Sequence, residues 1–156
     1  MPETKDLILR KAVLDDWQDL YQNIWSQPES AKYMVWNVTT SKEAAIERME
    51  RTVAYQAAHA YHWTVVEKRS GQAIGWAGME LRAPDIYGET GIAIGPAFTG
   101  KGYGKQILNM LTNYARDTLG AKQFVTCCRR ENLASKKMQL SCGFSYTHSE
   151  EHIHFY

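Results

Sequence analysis

Apolar and polar positions follow two periods along this chain, and they divide it into short extended runs and amphipathic helices. Leu7-Ile8-Leu9-Arg10 reads as a first strand. Asp15 and Asp16 then open a helix with Trp17, Leu20, Tyr21 and Ile24 at helical spacing, closing near Pro28. Thr40 and Glu43 have capping-box spacing and predict a second helix, roughly 42 to 59, with Ile46, Met49, Val53, Ala57 and Ala60 as its apolar stripe. Tyr61 to Glu67 has strand character, Lys68 to Gly71 is a turn, and Gln72 to Leu81 returns antiparallel. Gly75 and Gly78 predict a bulge or a close backbone approach in that return. Residues 83 to 88 read as a loop, and Glu89 to Ile94 as the next strand. A helix from about 103 to 119 carries Ile107, Leu108, Leu111, Tyr114, Ala115, Thr118 and Leu119 on one face and stops at Gly120. Gln123 to Cys128 is a strand, 133 to 141 a short helix, and Phe144 to Tyr156 a last strand or hairpin. The order is β-α-α-β-β-β-α-β-α-β, a mixed α/β (α+β) pattern without repeats or linkers, expected to be one domain over 1–156.

One segment stands out chemically. Ile92-Ala93-Ile94 runs into Gly95-Pro96, and Thr99-Gly100-Lys101-Gly102-Tyr103-Gly104-Lys105 leads straight into the long helix. The first N–H groups of a helix lack internal partners and carry partial positive charge, so a glycine-rich entry forms an anion site. It is not the dinucleotide fingerprint, because the third glycine comes too early, and no Gly-Lys-Ser/Thr follows to make a P-loop. Turn chemistry alone also accounts for the glycines at this stage.

Composition narrows the classes of function. The chain is 44% hydrophobic and 22% charged with a formal net charge of +1, which speaks against nucleic-acid binding by bulk charge. Arg129-Arg130 is at most a local basic patch. The apolar runs are too short to span a membrane and the N-terminus lacks a signal-peptide core, so a cytoplasmic protein is expected. Three cysteines, two of them adjacent, argue for reduced thiols rather than a disulfide framework. His152-x-His154 has no accompanying ligand set, so no metal is expected.

The glycine loop resembles the acetyl-CoA-binding signature of the Gcn5-related N-acetyltransferases (GNAT), Q/R-x-x-G-x-G/A, with Thr99 at the Gln/Arg position. A second stretch, Asn132-Leu133-Ala134-Ser135 with Gly143-Phe144 eight residues after Ser135, is similar to that family's C-terminal pattern. Leu9-Arg10, Tyr33-Met34-Val35-Trp36 and Glu89 to Ile94 echo the branch containing the ribosomal-protein alanine N-acetyltransferases. The resemblance implies a mostly antiparallel central sheet with two splayed strands and helices on both faces. It further implies acetyl-CoA as co-substrate, held by Thr99, Gly100, Lys101, Gly102, Tyr103, Gly104 and Lys105, by the backbone of Ile92, Ala93 and Ile94, and by Asn132 and Ser135. Asn132 is equally a good helix N-cap.

The implied reaction is direct acetyl transfer to a primary amine in a ternary complex. Glu89 is the first candidate for the base and Glu80 the second, each being otherwise an ordinary strand carboxylate. Many family members carry a Tyr where this chain has Gln139, which leaves Ser141 as the candidate donor to the leaving thiolate. Cys142 has no histidine near it in sequence and is read as a small packed residue rather than a nucleophile. The expected acceptor is a protein N-terminus or a small amine, polyamines and aminoglycosides included, with a homodimer as one expected assembly. An acyl-CoA-binding regulatory module without turnover is the alternative.

Overall fold

The computed structural model describes residues 2–31, 37–129, 132–145, 148–150 and 153–155. A five-stranded sheet runs β1 (Leu7–Arg10), β2 (His62–Glu67), β3 (Ala73–Ala83), β4 (Ile86–Ile94) and β5 (Gln123–Val125) in spatial order. The first three pairings are antiparallel and β4–β5 is parallel. Helices cover both faces. On one lie α1 (Trp17–Leu20), continued by a wide turn over Tyr21–Trp25, and α3 (Lys42–Ala58). They enclose Leu20, Ile24, Trp25, Ala45, Met49, Ala73 and Ala93. On the other face α4 (Tyr103–Asp117) presses Ile107, Leu111 and Ala115 onto Leu9, Val65, Ile74 and Met79. The short α2 (Pro28–Ala31) and α5 (Leu133–Ser141) border the open side of the sheet. This is the mixed, mostly antiparallel α/β architecture expected from the sequence.

Several local expectations change. Ser41, not Thr40, caps α3, its hydroxyl accepting from Ala44 N at 3.1 Å. Ala57 and Ala60 are exposed, and Gln56 takes their place on the buried face. Gln56 earns that place through hydrogen bonds: its Oε1 accepts from Ala12 N at 2.7 Å and its Nε2 donates to the Thr64 hydroxyl at 3.1 Å. The 83–88 loop is a tight hairpin instead, with Ala83 paired to Ile86 and Asp85 in the left-handed region at φ 62°. The strand predicted over 123–128 breaks at Thr126. Its second half, β6 (Cys127–Arg129), leaves the main sheet and pairs with a hairpin formed by β7 (His148–Glu150) and β8 (Ile153–Phe155). The aromatic stretch Tyr33–Trp36, Arg130 and His152 lie outside the described residues.

That break makes the site. The β4–β5 ladder ends at Gly88–Val125, so β4 from Glu89 onward has no strand beside it on that edge among the described residues. Two features of the β3–β4 ribbon aim the free edge. Gly75 comes so close to the Ala93 carbonyl that a Cβ would overlap it. The register slips between Gly78–Gly91 and Met79–Glu89, leaving Thr90 as the extra residue of a bulge with Gly91 at φ 154°. Both follow the expectation raised by Gly75 and Gly78.

Candidate active site

Between the free edge of β4, the start of α4 and α5 lies a cleft of about 850 Å³, within the usual range of about 300–1,000 Å³ for small-molecule sites. β4 contributes Glu89, Thr90, Gly91, Ile92, Ala93 and Ile94 to its wall. The glycine loop contributes Thr99, Gly100, Gly102, Tyr103, Gly104 and Lys105, and α5 contributes Asn132, Ser135 and Ser141. Of the residues expected to hold the co-substrate, Lys101 alone does not line it. Its ammonium turns back to Glu67, 3.6 Å away, over the rings of Phe98 and Tyr103.

The loop is built to leave backbone donors open. Gly100 and Gly102 take φ of 78° and 79°, where a side chain is strained although the space around them is empty. Gly102 is the N-cap of α4 and no side chain caps the helix. The first N–H groups of α4 therefore face the cleft with the positive end of the helix dipole behind them. Thr99 spends its hydroxyl on Pro96 O at 2.8 Å. Beneath the loop, Tyr103 donates to Glu67 Oε2 at 2.6 Å in the core. That bond and burial push the Tyr103 phenol up to about 12, and the same bond holds Glu67 below the usual carboxylate range. The Glu67–Tyr103–Lys101 cluster thus pins the glycine loop to β2, a partnership that no local motif signals.

Glu89 sits half-buried where the strands part. Burial lifts its carboxyl to about 7, partly opposed by a hydrogen bond from Thr126 Oγ1 to Oε2 at 2.8 Å and by the charge of Arg82. Arg82 also donates to the Glu89 carbonyl at 3.0 Å and pairs with Glu80 at 3.0 Å. A carboxyl near 7 inside a cleft is matched to proton transfer at neutral pH. Glu80 is exposed, and the structure leaves it an ordinary surface ion pair.

On α5, the Asn132 side chain accepts from Ser135 N at 3.1 Å and so fills the N-cap role while facing the cleft. Gln139 is buried and donates to Cys127 O at 2.9 Å and to the Ser135 hydroxyl at 3.2 Å, clasping α5 to β6. The Ser141 hydroxyl lies at the far end, donating to Met138 O at 2.8 Å. Cys142 is held against the Lys105 carbonyl, and burial raises its thiol pKa, opposite to what a nucleophile needs. Thr126, Arg82 and the lining residues Ile24, Glu29 and Ser30 were not legible as site residues, because folding alone brings them to β4.

Splayed strands over an uncapped, glycine-entered helix define the class, and the family comparison agrees. Residues 6–145 match the acetyltransferase (GNAT) domain family, and the chain belongs to it. It is an acyltransferase. Among curated proteins, an uncharacterized N-acetyltransferase p20 of Bacillus licheniformis is 27% identical over 146 residues, covering 90% of this chain and 80% of that protein. Among solved structures, a GNAT-family acetyltransferase from Bacillus anthracis superimposes with a TM-score of 0.81 at 16% identity, over 99% of this chain and 95% of its own. RimL, a ribosomal α-N-protein acetyltransferase in complex with coenzyme A, superimposes at 0.74 and 20% identity, over 99% and 96%. At these identities the likeness is one of fold. No helix among the described residues is long and apolar enough to cross a membrane.

Proposed function

We propose that this protein transfers the acetyl group of acetyl-CoA to a primary amine by direct attack in a ternary complex, with Glu89 as the base. The observation that carries the reading is the coincidence, in one cleft, of an uncapped helix entered through Gly100, Gly102 and Gly104 with a carboxyl raised to about 7. The open N–H groups of α4 suit the pyrophosphate, and the free edge of β4 over Ile92–Ile94 suits the amides of the pantetheine arm, as an added strand would. RimL, with the same fold, is described in complex with coenzyme A, which supports the choice of donor.

In the proposed reaction the neutral amine attacks the thioester carbonyl. A C–N bond forms, the C–S bond breaks, and a backbone N–H of β4 steadies the oxygen as it gains charge. Glu89 takes the proton lost by the amine, held in its ionised form by Thr126. Ser141, rotated away from Met138 O, hydrogen-bonds the departing thiolate. Asn132 and Ser135 shape the wall along the pantetheine arm, and Lys105 adds positive charge at the glycine loop. The acceptor is a protein N-terminus or a small amine.

The test is thiol release from acetyl-CoA with a panel of N-terminal peptides, amino acids, polyamines and aminoglycosides, beside thermal stabilisation by CoA. Turnover abolished by Glu89→Gln supports the reading. Stabilisation by CoA with no turnover would indicate a binding module instead, and absence of both would remove the glycine-loop assignment.

A further inference from the structure

A second cavity, of about 600 Å³, opens on the α3 face of the sheet. Arg48 and Arg51 project into it from α3, Trp76 and Ala77 floor it from β3, and His62 closes it from β2. The lining contains no Asp or Glu among the described residues. Its donors are numerous. The Arg48 guanidinium packs 4.6 Å from the Trp25 ring and 5.7 Å from Trp76, with Nη1 donating to the Thr39 hydroxyl at 3.2 Å. Trp25 is buried and its indole N–H has no partner among the described residues, and neither has His62 Nε2. Acidic groups stand at the rim: Glu47 pairs with Arg51 at 3.0 Å between exposed side chains, and Glu80 lies near His62. Burial, reinforced by Arg51, lowers Arg48 to about 10, so it remains charged at neutral pH.

This cavity adjoins the cleft. A Cβ placed on Gly78 would lie 2.6 Å from the His62 ring and 2.7 Å from the Thr90 hydroxyl, so both side chains overhang the same bare Cα. His62 belongs to the second cavity and Thr90 to the cleft. Across the ribbon, Trp76 and Ala77 in the one pair directly with Ala93 and Ile92 in the other. Lining residues of the two spaces thus stand at paired positions about 5 Å apart, and the His62 and Thr90 side chains fill the room that the missing side chain of residue 78 leaves between them.

We propose that this cavity anchors the acceptor by an anionic group, so that the substrate is a small amine carrying a carboxylate or phosphate held by Arg48 and Arg51. The inference rests on the acetyltransferase reading above and narrows its acceptor. It argues against polyamines and aminoglycosides, which would bring more positive charge to two guanidinium groups. A buried guanidinium binding an anion forms charge-assisted hydrogen bonds that a neutral analogue cannot replace.

The experiment compares matched amines in the full-length protein by thiol release: amino acids against their carboxamides, and aminoalkyl phosphates against the aminoalcohols. The anionic member of at least one pair is expected to show the higher kcat/KM by about 10- to 100-fold, and the pair concerned separates carboxylate from phosphate. Arg48→Gln should erase that preference through KM with kcat little changed, while stabilisation by CoA persists. Arg51→Gln, on the exposed flank of α3, should weaken it in the same direction and covers the case in which Arg48→Gln fails to fold. Equal or better turnover of neutral or polycationic amines, or of peptides without acidic groups, would overturn the proposal, as would an unchanged KM in both variants. If no pair turns over, titration with inorganic phosphate followed by tryptophan fluorescence decides. A saturable change that Arg48→Gln or Arg51→Gln weakens supports the anion site whatever becomes of the transfer reaction, and no change refutes it even when CoA still binds.

Discussion

Thr126→Val should move the pH dependence of acetyl transfer without removing it. In the wild type the Thr126 hydroxyl donates to Glu89 at 2.8 Å and favours the ionised carboxylate, against the burial that lifts the group to about 7. A hydrogen bond to a charged group contributes about 1.5–3 kcal/mol, and one pKa unit corresponds to about 1.4 kcal/mol. Glu89 keeps some exposure to the cleft, which favours the lower end and a rise of about one unit on losing the bond. A base must be ionised to accept a proton, so activity falls on the acid side of its pKa. At pH 7 the wild type is about half ionised and the variant about one-tenth, a rate ratio of about five that vanishes above pH 9. The assay is thiol release at saturating acetyl-CoA from pH 5.5 to 9.5. The acceptor's own ionisation is common to both proteins and cancels in their ratio. Thr126 is buried and Val has nearly its shape, so little else should change. An acid limb that stays in place, or one that persists in Glu89→Gln, would refute Glu89 as the base.

Three further outcomes follow from the same geometry. Glu89→Gln should be more stable than wild type at pH 8 but not at pH 4: a carboxyl whose folded pKa is raised keeps its full contribution below about 4.5 and loses it as pH rises through about 7, at most about 3 kcal/mol, measurable by urea unfolding. Tyr103→Phe strips the phenol from buried Glu67 and should cost about 1–3 kcal/mol at neutral pH. Because Glu67 is depressed, that loss should shrink as the pH falls from about 4.5 through its folded value, again seen in urea. Gly102→Ala places a side chain at φ 79° and should cost about 1–2 kcal/mol while reducing the thermal stabilisation by CoA.

Much of the local structure was legible in the order of residues. The apolar spacing of Ile107, Leu108, Leu111 and Ala115 makes one buried face wherever the helix packs, and Gly100-Lys101-Gly102 can turn left-handed because glycine carries no Cβ. The paired motifs around Gly100–Gly104 and Asn132–Gly143 pointed to the cleft because both are contiguous in sequence and need no partner from elsewhere. The tertiary structure decided what depends on distant segments. It set Glu89 near pH 7 through burial, opposed by the hydroxyl of Thr126 thirty-seven residues away. It turned Lys101 toward Glu67 rather than the cleft, and moved the buried face of α3 onto Gln56 to satisfy Ala12 and Thr64. It also brought Arg48, His62 and Trp76 together beside β4. Burial and charge are sums over neighbours in space. Such sums come into being only when the chain closes on itself, so a motif names the chemistry available and the packing sets its strength.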